Sequence, residues 1–210
     1  MTITYELENS LYINITNRCT NCCDFCVRNN LDGICDDINL WLEREPSIVE
    51  IMEDIQKRDI SNYREFVFCG YGEPMVRTFD IIEVCKKLKN SYSIPIRINT
   101  NGHANLICGK DVTPLLKGLV DAVSISLNAK NAQMYEEICR PEFGEQAFDA
   151  LLDFATKCKK VVPSVALSVV DVMSKEDIEA CRAIAQLIGV DFKIRHFTHR
   201  GPIILPPQNL

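Results

Sequence analysis

Short runs rich in β-branched and aromatic residues alternate with amphipathic helical stretches from one end of the chain to the other, and this alternation restricts the fold more than any other feature. Six runs read as strands, at 11–16, 65–69, 94–99, 122–127, 161–170 and 192–197. Strands regularly separated by helices form a parallel sheet with right-handed crossovers, which makes this an α/β chain. A closed eightfold barrel uses about 250 residues, or about 31 for each βα unit, whereas six units in 210 residues take 35 each. A partial (β/α)6 barrel with parallel strands fits that length, and a doubly wound open sheet is the competing architecture. In both, reactive groups belong at the C-terminal ends of the strands.

The helical stretches carry their own punctuation. In the first, Pro46 reads as a first-turn proline, Ile48, Ile51, Met52 and Ile55 form one face, Glu50, Glu53 and Asp54 the other, and Lys57 and Arg58 complement the dipole at its end. A second, over 79–88, aligns Ile81, Cys85 and Leu88; another aligns Phe148, Leu151, Leu152, Ala155 and Cys158, so Cys85 and Cys158 read as core. The last opens at Ser174, three residues before Asp177, and stops near Gly189. No linker, repeat or low-complexity tract interrupts the pattern, which predicts one domain over 1–210.

Composition narrows the function classes. A net charge of −6 argues against affinity gained by neutralising nucleic-acid phosphates. No apolar run approaches the ~20 residues of a membrane span, and MTITYELENS lacks the features of a signal peptide, so a cytoplasmic location is expected.

Eleven cysteines are too few for a disulfide-stapled scaffold of this length, but four fall within residues 19–26, directly after the first strand. Cys19, Cys23 and Cys26 form CxxxCxxC. Three thiolates in one loop suit three irons of a four-iron, four-sulfur cluster and leave the fourth iron open, whereas structural zinc takes four closed protein ligands. Cys22 also permits a CxxCxxxC reading, and Cys22 or Cys35 would complete a tetrahedral zinc site. Against zinc, no further pair follows at a usual spacing, and His103, His196 and His199 lie far along the chain. The other cysteines are scattered, so no second cluster is expected.

The loop resembles the CxxxCx(aromatic)C signature of the radical S-adenosylmethionine (radical SAM) superfamily, with Cys19, Cys23, Phe25 and Cys26 in the matching positions. The resemblance implies a six-unit partial barrel, a 4Fe-4S cluster on the three cysteines, and S-adenosylmethionine bound to its open iron. It further implies reductive cleavage to a 5′-deoxyadenosyl radical that abstracts hydrogen from a substrate, with the electron drawn from a flavodoxin- or ferredoxin-like donor. After the second strand, CGYGEP resembles the family's glycine-glutamate motif, which gives Gly72, Glu73 and Pro74 contact with the cofactor's amino group. Independently, Gly70 and Gly72 permit close backbone approach to a ligand, and a carboxylate there accepts hydrogen bonds from an ammonium group. By resemblance, Thr100 in NTNG and Ser126 in SLNA, with Asn128, meet the cofactor's carboxylate and ribose; each is equally a turn or cap former. Ser168 on the fifth strand would face the cofactor and Arg195 or His196 on the sixth would lie near the adenine or the substrate, and alternation along KIRHF lets only one of the last two face inward.

LYINITNRC, FVFCGYGEP, IRINTNGH and SISLNA together look like the TatD-linked radical SAM group, which implies association with a TatD-type metal-dependent hydrolase. A chain little larger than a barrel core leads us to expect a large substrate or a closing partner over the mouth, with Arg28 and Lys110 as charges near it. The proline-rich tail, 201–210, would cover a barrel face or dock a partner. Two other classes fit parts of the sequence: an iron-sulfur electron carrier, which needs none of the strand-end polar clusters, and a zinc-stabilised interaction module.

Overall fold

The computed structural model describes residues 1–29 and 38–197. Seven strands form one sheet in sequential order: β1 (Thr4–Leu7), β2 (Ser10–Ile13), β3 (Glu65–Phe68), β4 (Ile96–Thr100), β5 (Ala122–Ser126), β6 (Ser164–Val170) and β7 (Asp191–Arg195). All neighbouring pairs are parallel except the β1–β2 hairpin. Sequential order with no reversal is barrel-like and removes the doubly wound alternative, whose order turns back at a switch point. No bond joins β7 to β1, so the barrel is partial.

Six of the strands match the sequence-based expectation, with shifted ends. β6 begins at Ser164 because 161–163, with Pro163, forms a turn. β1 is additional: Glu8 and Asn9 both adopt positive φ, the two-residue turn that matches strand twist, and Glu-Asn is a weaker signal than the usual Asn-Gly.

Among the described residues six α-helices cover the outside of the sheet: α1 (Ile48–Gln56), α2 (Thr78–Ser91), α3 (Ala104–Cys108), α4 (Ala132–Cys139), α5 (Gln146–Cys158) and α6 (Lys175–Ile188). Pro46 is not a first-turn residue; it precedes the N-cap Ser47, whose hydroxyl and the Glu50 carboxylate form a capping box. Arg58 serves β1 rather than the helix end, donating to Thr4 O and Thr4 Oγ1. Ser174 and Gly189 cap α6 as the sequence predicts.

Alternation divides every strand between two faces. Leu11, Ile13, Phe66, Phe68, Ile96, Ile98, Val123, Ile125, Val165, Leu167 and Val169 point toward the helices and form one buried core with Cys85, Cys158 and the apolar stripes of α1, α2 and α5. The opposite, concave face carries Tyr12 and Val67, and by the same alternation Glu65, Cys69, Arg97, Asn99, Ser124, Ser126, Ser168, Lys193 and Arg195. The helix-side face is the main core, whereas the concave face packs Tyr5, Tyr12, Leu40, Val67 and Tyr71 at its β1–β3 side and is polar across β4–β7.

Candidate functional site: the cysteine loop and the strand-end rim

The cysteine loop leaves β2 through Asn14–Thr16 and is pinned from beneath. Asn14, fully buried, donates through Nδ2 to Leu40 O (2.7 Å) and Thr2 O (3.1 Å). A Cβ at Gly70 would overlap the Asn14 side chain, and one at Gly72 would overlap the carbonyls of Thr16 and Arg18. These two glycines thus let the loop after β3 lie against the cysteine loop, a close approach within the chain itself.

Cys19, Cys23 and Cys26 are half-buried, and Cys22 is exposed. Asn21 N donates to Cys19 Sγ (3.4 Å) and Arg28 Nε to Cys26 Sγ (3.3 Å). Arg28 also donates to Asn17 O and Asn21 O, so it braces the loop rather than facing solvent at the mouth. Lys110 rests over the Phe79 ring of α2, 5.1 Å from its centroid. Burial pushes the Cys19 thiol up to about 12, and the Glu73 carboxylate adds to the effect. The Cys23 thiol is lowered, chiefly by its hydrogen bond with Cys139.

Cys139, at the end of α4, is one of the cysteines that look scattered along the sequence. Its segment runs beside the loop: Cys22 N donates to Cys139 O (2.9 Å), Asp24 N to Ile138 O (3.1 Å) and Glu142 N to Thr20 O (2.8 Å). His103, distant in sequence, is likewise close in space. Its Nδ1 lies 3.0 Å from Thr20 Oγ1 and its Nε2 lies 3.1 Å from Tyr135 OH. Asn101 Nδ2 donates to the Thr20 hydroxyl and Asn21 Nδ2 to the Tyr135 hydroxyl, which leaves each hydroxyl able to meet a neutral imidazole nitrogen. Burial lowers His103 to about 4, so the ring is neutral at neutral pH.

The same network reaches the glycine-glutamate loop. Glu73 is buried, and its carboxylate accepts from Thr100 Oγ1 (2.6 Å), Asn101 N (2.6 Å) and Met75 N (2.9 Å). Burial raises it to about 7 despite these three donors. Pro74 starts the short turn that follows. Glu73 and Thr100 therefore clamp the ends of β3 and β4 together. At the end of β5, Asn128 adopts φ 52° and accepts through Oδ1 from Val170 N (3.1 Å), tying β5 to β6. Ser168, buried, donates to Ile125 O (3.3 Å). Arg195 Nη2 donates to Ser126 Oγ (3.0 Å), whereas His196 is exposed and pairs with Asp171 (2.6 Å). Of the two candidates on β7, Arg195 faces inward.

Phe25 lines a cleft of about 330 Å³ beside the loop, with Asp24, Met134, Ile138, Val172, Met173 and Phe197. Cys35, His199 and the tail 201–210 lie outside the described residues.

The donor set suits an iron-sulfur cluster. Four zinc ligands with bonds of about 2.3 Å must converge on one point. Among the described residues no three His, Cys, Asp or Glu side chains, those of the cysteine loop included, converge on one point, and Cys35 lies outside them. Three half-buried thiols in one short loop, two of them already met by N–H donors, instead suit a larger anionic group.

Fold and site together define a partial barrel whose first βα loop carries three half-buried thiols at CxxxCxxC spacing. The chain belongs to the radical SAM superfamily, whose family model matches residues 13–188. Superfamily members use a 4Fe-4S cluster and S-adenosylmethionine. Among curated relatives, GTP 3′,8-cyclase of Lactiplantibacillus plantarum is 28% identical over 176 residues, 83% of this chain and 49% of the relative. This chain thus spans about half the length of that relative. Among solved structures, Streptococcus suis SuiB bound to precursor peptide SuiA aligns with TM-score 0.65 and 17% identity, over 93% of this chain and 40% of that one. A radical SAM methyltransferase from Sphaerobacter thermophilus gives TM-score 0.63 and 13% identity, over 92% of this chain and 57% of that one. Both confirm the fold.

Proposed function

We propose that this chain is a radical SAM enzyme in which Cys19, Cys23 and Cys26 hold the cluster, the strand-end loops cradle S-adenosylmethionine, and the concave face receives the substrate. The observation that carries this reading is the rim itself. One hydrogen-bonded chain, Glu73–Asn101–Thr20–His103–Tyr135–Asn21, welds the cysteine loop to the loops after β3 and β4. An electron carrier needs no such cradle, whereas a catalyst must hold cluster and cofactor in fixed relation.

When both groups are bound, reductive cleavage of S-adenosylmethionine supplies a 5′-deoxyadenosyl radical that takes a hydrogen atom from substrate. The chain's own part is to hold the two groups in place. The N–H of Asn21 and the Arg28 guanidinium stabilise anionic sulfur at Cys19 and Cys26. Phe25, Met134 and Ile138 bring apolar side chains to the cleft beside the loop. Ser126, Asn128 and Ser168 bring polar groups to the ends of β5 and β6, on the side where the cofactor's ribose and adenine are proposed to lie.

The proposal includes an electron donor of the flavodoxin or ferredoxin kind, a reducing cytoplasmic setting, and a large substrate or a closing partner over the mouth. The motif combination further supports membership of the TatD-linked group and association with a TatD-type hydrolase. The substrate is not carried over from relatives, whose names specify chemistry as unlike as a GTP cyclase and a protein bound to a precursor peptide.

Anaerobic reconstitution with iron and sulfide, followed by dithionite and S-adenosylmethionine, is expected to yield 5′-deoxyadenosine by mass spectrometry. Cys19→Ala, Cys23→Ala and Cys26→Ala are each expected to lower bound iron and abolish the product. Product formation by any of the three would overturn the ligand assignment.

A further inference from the structure

The two arginines of the lumen are treated differently by their surroundings. Arg97 on β4 is neutralised: Nε and Nη2 donate to the two oxygens of Glu65 (3.0 and 2.9 Å), and Nη1 donates to Asn99 Oδ1 (2.7 Å). Arg195, reaching into the same lumen from β7, has no ion pair among the described residues. Among the described residues its one hydrogen bond goes from Nη2 to Ser126 Oγ, and its buried Nε meets no partner. Two residues back on the same face, Lys193 is also free of ion pairs among the described residues.

A guanidinium left without an anion is costly, because burial removes water and supplies no carboxylate in exchange. Burial holds Arg195 below the ordinary arginine value, with Arg97 adding to the effect against the thiols of Cys69 and Cys23. The chain as a whole is acidic, at net −6, and Glu65 and Asp191 lie on the same face of the sheet, yet among the described residues no carboxylate pairs with Arg195. A free Nε beside an Nη2 is the side-on fork that matches two oxygens of one planar or tetrahedral oxyanion.

We propose that Arg195 is the anchor of an oxyanion-binding subsite on the concave face, which takes a carboxylate or phosphate group of the substrate, with Lys193 adding positive charge at its edge. The subsite rests on the reading of the lumen as the substrate chamber, and it narrows the substrate class to molecules bearing such a group. The Arg97–Glu65 pair forms the charge-balanced opposite wall.

Isothermal titration of the anaerobically reconstituted full chain, saturated with S-adenosylhomocysteine, tests this with inorganic phosphate and acetate as probes. Saturable binding is expected, weakened at least tenfold in Arg195→Gln and partly restored in Arg195→Lys. In the unmodified chain, phosphate is also expected to protect the Arg195 peptide from phenylglyoxal, a readout that needs no variant to fold. Absence of binding and protection would overturn the subsite. Binding only without S-adenosylhomocysteine, in competition with it, would also overturn it, since the fork would then serve the cofactor's own carboxylate. These results are read without cofactor cleavage, so a chain that binds the probes but makes no 5′-deoxyadenosine would sink the catalytic reading alone.

Discussion

The two faces of the one sheet obey opposite rules. Toward the helices, β2 to β6 contribute aliphatic and aromatic side chains that are almost wholly buried; toward the lumen, β3 to β7 contribute Glu65, Arg97, Asn99, Ser126, Ser168 and Arg195. Parallel strands covered on both faces usually read as continuous apolar runs, so polar residues at every second position of IRINT and AVSIS mark a face reserved for something other than packing. Stability resides mostly on one side and recognition on the other.

The sharpest test of that division is Phe68→Ala on the helix face. Phe68 is fully buried, and truncation is expected to cost about 3–5 kcal/mol by denaturant unfolding. A loss below about 1 kcal/mol would mean that the helix-side core does not carry the stability assigned to it.

On the lumen face the largest expected change comes from Glu65→Ala, which strands Arg97. The pair is mostly buried, with side chains 12% and 18% exposed, so about 3 kcal/mol is expected. Charge restored nearby by Asn99→Asp should recover part of it. If Glu65→Ala were neutral, the contrast between a balanced and an unbalanced arginine would disappear.

The rim titrates in a way that neither face does. His103 has a folded value of about 4 against an ordinary 6.5, so as pH falls the unfolded chain binds a proton first and stability is lost. Between pH 6.5 and 5 this amounts to about 1.5 kcal/mol. Glu73, raised to about 7, acts in the opposite sense: its contribution is present at low pH and lost as pH rises through that value. The difference between the chain and His103→Gln isolates the histidine, and parallel pH–stability curves for the two would show that the ring is not held neutral.

Much of the fold, and single members of the site, are legible in the sequence. The caps of α6, the six principal strands and the CxxxCxxC spacing are local signals, set by residues a few positions apart, and they persist in the folded chain with their ends moved by a few residues. α3 and α4 escape such a reading because five and eight residues carry little periodicity, and β1 because its turn is Glu-Asn. Glu73 and Thr100 are each recognisable from their motifs. That they bond to one another emerges only when parallel register brings the ends of β3 and β4 together.

By itself, then, the sequence determined the order of elements and the CxxxCxxC spacing of the first loop, since both depend on period and spacing along the chain. Tertiary structure alone decided that His103 meets Thr20 across 83 positions, that Asn21 meets Tyr135 across 114, and that Cys139 lies against Cys23. It also decided which of two lumen arginines is neutralised. Charge pairing depends on which strand edge faces which across the barrel, and sheet register fixes that only after the whole chain has closed on its core.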